Sequence, residues 1–139
     1  MRIIALRGNK DCGKSTTLNR VYQEIISNTL YCVNQGLRGV LGNPINNDFE
    51  CIVTLFDNRN IAFYTMGDYM RDIPYAIEKY AEMKVDILIL ASNTNYNNHL
   101  DAIANYPFNI VTKTISLPRN DDNNNVCNLQ DCGTILSLI

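Results

Sequence analysis

Gly8-Asn9-Lys10-Asp11-Cys12-Gly13-Lys14-Ser15 lies between the apolar run Met1-Arg2-Ile3-Ile4-Ala5-Leu6 and a stretch in which Leu18, Val21, Tyr22, Ile25 and Ile26 recur at helical spacing. The apolar run reads as a buried parallel strand, and the stretch after the loop reads as an amphipathic helix. The eight residues between them fit G-x-x-x-x-G-K-[ST], a spacing with a mechanical reason. Glycine is needed where the chain turns, or where it approaches a ligand more closely than a Cβ would allow. Gly8 and Gly13 therefore let the backbone N–H groups of Asn9, Lys10, Asp11 and Cys12 wrap a polyphosphate. The following helix opens with the unpaired amides of Lys14, Ser15 and Thr16 and the positive end of its macrodipole, so a phosphate is favoured there. Lys14 adds a point charge between β- and γ-phosphates, and the Ser15 hydroxyl is placed to ligate Mg²⁺.

At average composition the four fixed positions would match by chance about once in two hundred chains of this length. With their strand and helix, Gly8, Gly13, Lys14 and Ser15 resemble the P-loop NTPase superfamily, over roughly the first thirty residues. The resemblance implies a three-layer α/β fold, binding of ATP or GTP with Mg²⁺, and Lys14 and Ser15 as phosphate and metal contacts. The dimeric variant that begins Gly-Lys-Gly-Gly is not matched, because Asn9 stands where its signature lysine would be.

The 139 residues, 46% of them hydrophobic, predict one nucleotide-binding domain over 1–139. A chain of this size buries about two thirds of the surface its unfolded form exposes. The formal charge of −2 provides no broad basic surface of the kind that drives non-specific nucleic-acid binding. The five cysteines, Cys12, Cys32, Cys51, Cys127 and Cys132, are odd in number and lack C-x-x-C spacing. The chain opens directly on its first strand, with no charged-then-apolar export signal, so the expectation is a reduced cytoplasmic protein. Cys127 and Cys132 with His99 fit no familiar zinc spacing and read as ordinary thiols. No apolar run approaches the roughly 20 residues of a membrane span.

Further along, residues 30–33 suggest a short second strand, and Gly36, Gly39, Gly42 and Pro44 mark a mobile connection over 34–49. Cys51 to Phe56 and Ile61 to Thr65, joined by Asp57-Asn58-Arg59-Asn60, predict an antiparallel hairpin. Pro74 opens a helix that ends near Lys84, with Ile73, Ile77, Tyr80 and Ala81 on one face. Asp86 to Ala91 reads as a buried strand, Ser92 to Asn98 as a polar loop, and Leu100, Ile103 and Ala104 as a short helix. Asn109 to Leu117 is the last expected strand. The asparagine-rich segment from Pro118 to Asp131 reads as exposed loop, and Thr134 to Ile139 as a small closing helix or strand. The fold expected is a mostly parallel three-layer sheet with one antiparallel hairpin strand.

A magnesium site needs a further carboxylate at the carboxyl edge of the sheet, where ligands of open α/β sheets bind. If the second hairpin strand runs parallel to the first strand, its exit at Thr65-Met66-Gly67-Asp68 lies at that edge. Asp57, in the hairpin turn, and Asp86, at the start of its strand, then fall at the opposite edge. Asp68 is therefore the expected metal-shell and catalytic carboxylate, directly or through water. The alternative is a first-turn acid that complements a helix dipole.

A hairpin after a glycine-rich loop also resembles the GTPase branch, which would place Asp at the position of Tyr64 and N-K-x-D after a later strand; neither stands here. Asp48 reads as a solvated loop acid, with a role in positioning water or metal as the alternative. Lys10 reads as solvated or reaching the γ-phosphate, and Arg71 and Arg119 as surface residues or transition-state fingers. Ser92 and Asn93 serve as caps or phosphate sensors, and His99 as a surface residue.

The leading expectation is a small Mg²⁺-dependent ATPase or GTPase, slow without a protein partner that supplies the missing group, with 34–49 and 67–72 as its nucleotide-sensitive segments. A small-molecule or nucleotide kinase is the second reading, and a non-catalytic nucleotide-binding adapter the third.

Overall fold

The first strand, β1 (Arg2–Gly8), runs past the apolar stretch into the glycine loop, and α1 (Lys14–Ser27) begins on the residue after Gly13. A computed structural model describes residues 1–28 and 31–139. After α1 come β2 (Cys32–Gln35), β3 (Gly39–Val40), a 3-10 turn at Pro44–Asn46, β4 (Phe49–Leu55) and β5 (Asn60–Tyr64). The chain continues through α2 (Asp72–Glu82), β6 (Ile87–Asn93), α3 (Asn97–Ile103), β7 (Phe108–Thr112) and α4 (Asp121–Ser137). Among the described residues this is an α/β fold with a seven-stranded mixed sheet of order β2-β4-β5-β6-β1-β7, in which β3 also pairs with β4. The β5–β6, β6–β1 and β1–β7 pairings are parallel, whereas β4 runs antiparallel to β2, β3 and β5.

Alternation along β1 sorts the core into two layers. Ile4 and Leu6 face Leu18, Val21 and Ile25 of α1 and Cys132 and Ile135 of α4. Ile3 and Ala5 face Ile73, Ala76 and Ile77 of α2 and Ile103 of α3. β6 is buried along its whole length, as expected for a parallel strand covered on both faces. Burying a Leu or Ile side chain contributes about 1.5–3 kcal/mol, so β1 and β6, with α1 across them, carry much of the fold's apolar stabilisation.

The expected mostly parallel sheet with its antiparallel hairpin is observed, and several local expectations are corrected. Residues 118–137 are not an exposed loop followed by a separate small element. Asn120 accepts from the Asn123 backbone N–H at 2.9 Å and starts a helix that runs unbroken to Ser137. Asparagines disfavour helix interiors, but the seating of Asp131, Cys132 and Ile135 against the sheet overrides that local preference.

The last strand ends at Thr112, because the Thr114 backbone N–H turns to the Asp131 carboxylate at 2.9 Å. α2 starts at Asp72, with Pro74 inside its first turn, where its missing N–H costs no helical bond. The expected second strand over 30–33 is observed at Cys32–Gln35, and residue 30 lies outside the described residues. The segment expected as a connection over 34–49 holds the end of β2, β3, the 3-10 turn and buried Asp48, and reaches β4 at Phe49.

Candidate functional site

β1 and β6 end in register, Gly8 opposite Asn93, and the backbone N–H of Lys113, just past β7, bonds to Arg7. The carboxyl ends of three parallel strands therefore meet at the Gly8–Ser15 loop. Gly13 has φ +94°, in the left-handed region that only glycine adopts readily, and this turn starts α1 with its first amides facing outward. Gly8 is required for a different reason. A Cβ there would sit 2.7 Å from Cys12 Sγ and 2.8 Å from Lys113 Cβ.

Lys14 is buried; its ammonium donates to the Asn9 carbonyl at 2.7 Å and to Asp68 Oδ1 at 3.2 Å. The same Asp68 oxygen accepts from Asn93 Nδ2 at 3.2 Å. Asp68 thus reaches the loop as expected, but not from a strand adjacent to β1. β6 stands between β5 and β1, and the chain leaving β5 crosses over the end of β6. That crossing depends on Gly67, whose Cβ would lie 2.0 Å from the Ala91 carbonyl oxygen. Tyr64, where the GTPase pattern would want a carboxylate, points into the α2 layer.

The Ser15 hydroxyl donates to Asp48, and Thr65 Oγ1 donates to the same carboxylate oxygen at 3.2 Å. Asp48 is therefore no solvated loop acid. The Leu41 N–H bonds its carbonyl at 2.9 Å, and Asn19 ties the preceding Asn47 carbonyl to α1 at 3.0 Å. Sequence reasoning underrated Asp48, although it directly precedes a strand with strict in–out alternation, a position fixed by the sheet. Residues 10–16, Gly42, Asn43, Asn46, Asp48, Met66, Asp68 and Tyr69 enclose a cleft of about 510 Å³.

No known family model, curated protein or solved structure matches this chain.

A second cleft, of about 370 Å³, opens on the other side of the same loop. The two clefts share Asp11, Cys12, Gly13 and Thr16, and the second is walled by Lys113 to Ile115, Arg119 and the first half of α4. The Lys113 stem lies across Gly8 and Gly13, with Cε 3.5 Å from where a Gly13 Cβ would stand, while its ammonium meets Asp131 at 2.8 Å. Asp131 also accepts from Thr114 N at 2.9 Å and Thr114 Oγ1 at 2.6 Å, pinning α4 to the loop. Asn128 accepts from Thr17 Oγ1 at 3.1 Å. Lys113 fell inside the expected last strand over Asn109 to Leu117 and carried no signal there; the strand's end at Thr112 and α4, read as loop, place it.

Arg119 donates to the Asp11 carbonyl at 3.1 Å and belongs to this second cleft, whereas Arg71 is exposed. Lys10 is exposed on the rim of the first cleft. His99 is fully buried in α3, contrary to its expected surface position, because Ser92 and the Tyr69 carbonyl satisfy both ring nitrogens. It lies in the α2–α3 layer, across the sheet from Cys132. Asp57 and Asp86 occupy the opposite sheet edge, as expected; Asp86 Oδ2 accepts from the Asn60 N–H at 2.7 Å.

Burial pushes the Asp48 carboxyl above its usual range; the Ser15 and Thr65 hydrogen bonds oppose this, and the Asp68 charge adds to it. Burial likewise pushes Asp72 up to about 6, with the charges of Asp68 and Asp48 acting in the same direction. The first cleft thus gathers oxygen donors suited to a hard cation: two carboxylates and the Ser15 hydroxyl. Among the described residues there is no cage of three or more His, Cys, Asp or Glu side chains. Two carboxylates and a hydroxyl suit a cation that keeps several waters and takes its remaining ligands from a phosphate. Among the described residues no helix is long and apolar enough to cross a membrane.

Proposed function

We propose that this chain is a P-loop protein that binds a nucleoside triphosphate with Mg²⁺ and hydrolyses it slowly. The observation that carries the reading is the buried Lys14 ammonium, set at the first residue of α1 behind a left-handed Gly13, facing a cleft that also holds Asp48 and Asp68. A buried ammonium at that place, beside outward-facing amides, suits an anion with several negative oxygens.

The residues divide the work. The amides from Asn9 to Thr16 hold the phosphates through fixed dipoles that need no reorganisation. Lys14 exchanges Asp68 for β- and γ-oxygens while its bond to the Asn9 carbonyl keeps it aimed. Ser15 and Asp48, now hydrogen-bonded to each other, are with Asp68 the oxygen groups that would hold the cation, and Thr65 keeps Asp48 Oδ1 in place. When bound, the cation would supply charge neutralisation for the polyphosphate. Among the described residues lining this cleft the cations are Lys10 and Lys14, with no arginine, which supports slow turnover without a partner. The second cleft is the natural seat for the nucleoside half, because it continues the first across Asp11 to Gly13.

The test is calorimetry with ATP, GTP and inorganic tripolyphosphate, with and without Mg²⁺, on the wild type and Lys14→Ala, followed by phosphate release. Expected are Mg²⁺-dependent nucleotide binding, tighter than that of tripolyphosphate, a loss of about tenfold or more in Lys14→Ala, and slow release of phosphate. Binding that is indifferent to Lys14 would overturn the site, and binding without release would make the protein an adapter.

A further inference from the structure

Behind the first cleft runs a chain of buried polar contacts with a determined direction. The Tyr69 carbonyl can only accept, so the contact of His99 Nε2 with it at 2.9 Å requires the ring proton on Nε2. Nδ1 is then an acceptor and takes the Ser92 hydroxyl proton across 3.2 Å. Ser92 Oγ in turn accepts from Arg7 at 2.7 Å, and Arg7 also donates to the Thr94 and Tyr96 carbonyls at 3.3 and 3.4 Å. Arg7, Ser92 and His99 are all buried, and each contact in the chain pairs a donor with an acceptor.

The network ends on the 66–70 segment, which carries Asp68 over the end of β6. Two residues of α3 hold that segment from behind, His99 on the Tyr69 carbonyl and Asn98 on the Met70 carbonyl at 2.8 Å. Gly67, where a Cβ would clash with the Ala91 carbonyl, lets it pack directly on the end of β6. Asp68 therefore faces Lys14 and Asn93 with its backbone clamped on either side. Satisfying Asp68 does not require this clamp, because its carboxylate already has Lys14 and Asn93. What the clamp adds is a fixed place for the carboxylate when Lys14 turns to another anion.

We infer that His99 is a positioning residue for Asp68: through the Tyr69 carbonyl it holds that carboxylate at the cation end of the cleft after Lys14 has left it. This inference rests on the proposed nucleotide site. Burial lowers the imidazole's affinity for a proton, outweighing the opposing hydrogen bond to Tyr69, and the Arg7 charge acts in the same direction as burial, which favours the neutral ring with its one N–H on Tyr69. Loss of a single hydrogen bond to an orienting group costs about tenfold in cation affinity.

The experiment measures the Mg²⁺ midpoint for binding of ATP and GTP to the wild type, Asp68→Asn, His99→Ala, His99→Gln and the Asp68→Asn/His99→Ala double variant. His99→Ala is expected to raise the midpoint about tenfold, in the same direction as Asp68→Asn. His99→Gln, whose amide can still donate to Tyr69, should restore most of it, and the double variant should match Asp68→Asn. If His99→Ala does not fold, Asn98→Ala removes the exposed half of the clamp, with a smaller rise expected that disappears in the Asp68→Asn background. A raised midpoint in Asp68→Asn beside an unchanged one in His99→Ala, or effects that multiply in the double variant, would overturn the inference. Binding unaffected by Lys14→Ala would instead remove the nucleotide site itself.

Discussion

Asp131→Ala should be among the most damaging single changes outside the apolar core. The Lys113–Asp131 pair spans 2.8 Å, and its side chains are 1% and 4% exposed, so neither charge has water to fall back on. Truncation strands the Lys113 ammonium, whose remaining acceptor is the Thr114 carbonyl at 2.8 Å, and unpairs the Thr114 N–H and hydroxyl. Breaking one side of such a buried pair costs about 3–5 kcal/mol, a large share of the about 5–15 kcal/mol that holds a domain folded. In a chain of this size that is roughly 10–15 °C in melting temperature.

Urea denaturation at neutral pH, followed by circular dichroism, measures the loss. The pair can also be removed whole. Lys113→Met/Asp131→Leu deletes both charges, so it should recover about half of the loss while still leaving the Thr114 donors unpaired. A loss below about 1 kcal/mol in Asp131→Ala, or additive effects in the double variant, would refute the claim that this pair anchors α4 beside the glycine loop.

Two glycines should respond in opposite ways. Gly67→Ala puts a Cβ 2.0 Å from a backbone oxygen where ordinary contact starts at 3.4 Å, so one chain must move by about 1.4 Å, with an expected loss of about 2–4 kcal/mol. Gly133→Ala, inside α4 with nothing within 4 Å, should stabilise by about 0.5–1 kcal/mol; equal effects in the two urea curves would contradict the packing described. Asp72 binds its proton more tightly folded, up to about 6, than unfolded, so its ionisation costs the fold progressively as pH rises from about 4 to 6 and by a constant amount above. Asp72→Asn should therefore be neutral near pH 4 and stabilising by about 1 kcal/mol at pH 7, after allowing for its partial exposure. A difference from wild type that does not change with pH would count against that origin.

Where neighbouring residues set the conformation, the reading from sequence held. β1, the glycine loop and α1 follow from apolar runs and turn chemistry within thirty residues, and Asp57-Asn58-Arg59-Asn60 was sufficient for the β4–β5 hairpin. The expectation that Asp68 would reach the loop depended on a single parallel crossover, β5–α2–β6, and that crossover is present. Polar residues whose environment is built by distant segments were misjudged. Asp48 and His99 looked like surface residues because local pattern carries no information about Ser15, Thr65 or the Tyr69 carbonyl. The helix α4 was missed because its asparagines argue for turns, while the force that makes it a helix is docking against α1 and β7.

By itself the sequence determined the α/β pattern and the conformation of Gly8 to Ser15, since those depend on steric freedom at glycine and on apolar periodicity, both local properties. Tertiary structure decided which side chains meet there. The insertion of β6 between β5 and β1 forces the Gly67 crossing that delivers Asp68 to Lys14, the 41–48 segment folds back to set Asp48 on Ser15, and α4 lays Lys113 across the loop. Lys14–Asp68 and Ser15–Asp48 join residues tens of positions apart and Lys113–Asp131 residues eighteen apart, and none is encoded in a local spacing; they exist because burying the two apolar layers brings these polar groups together away from water, where they must pair.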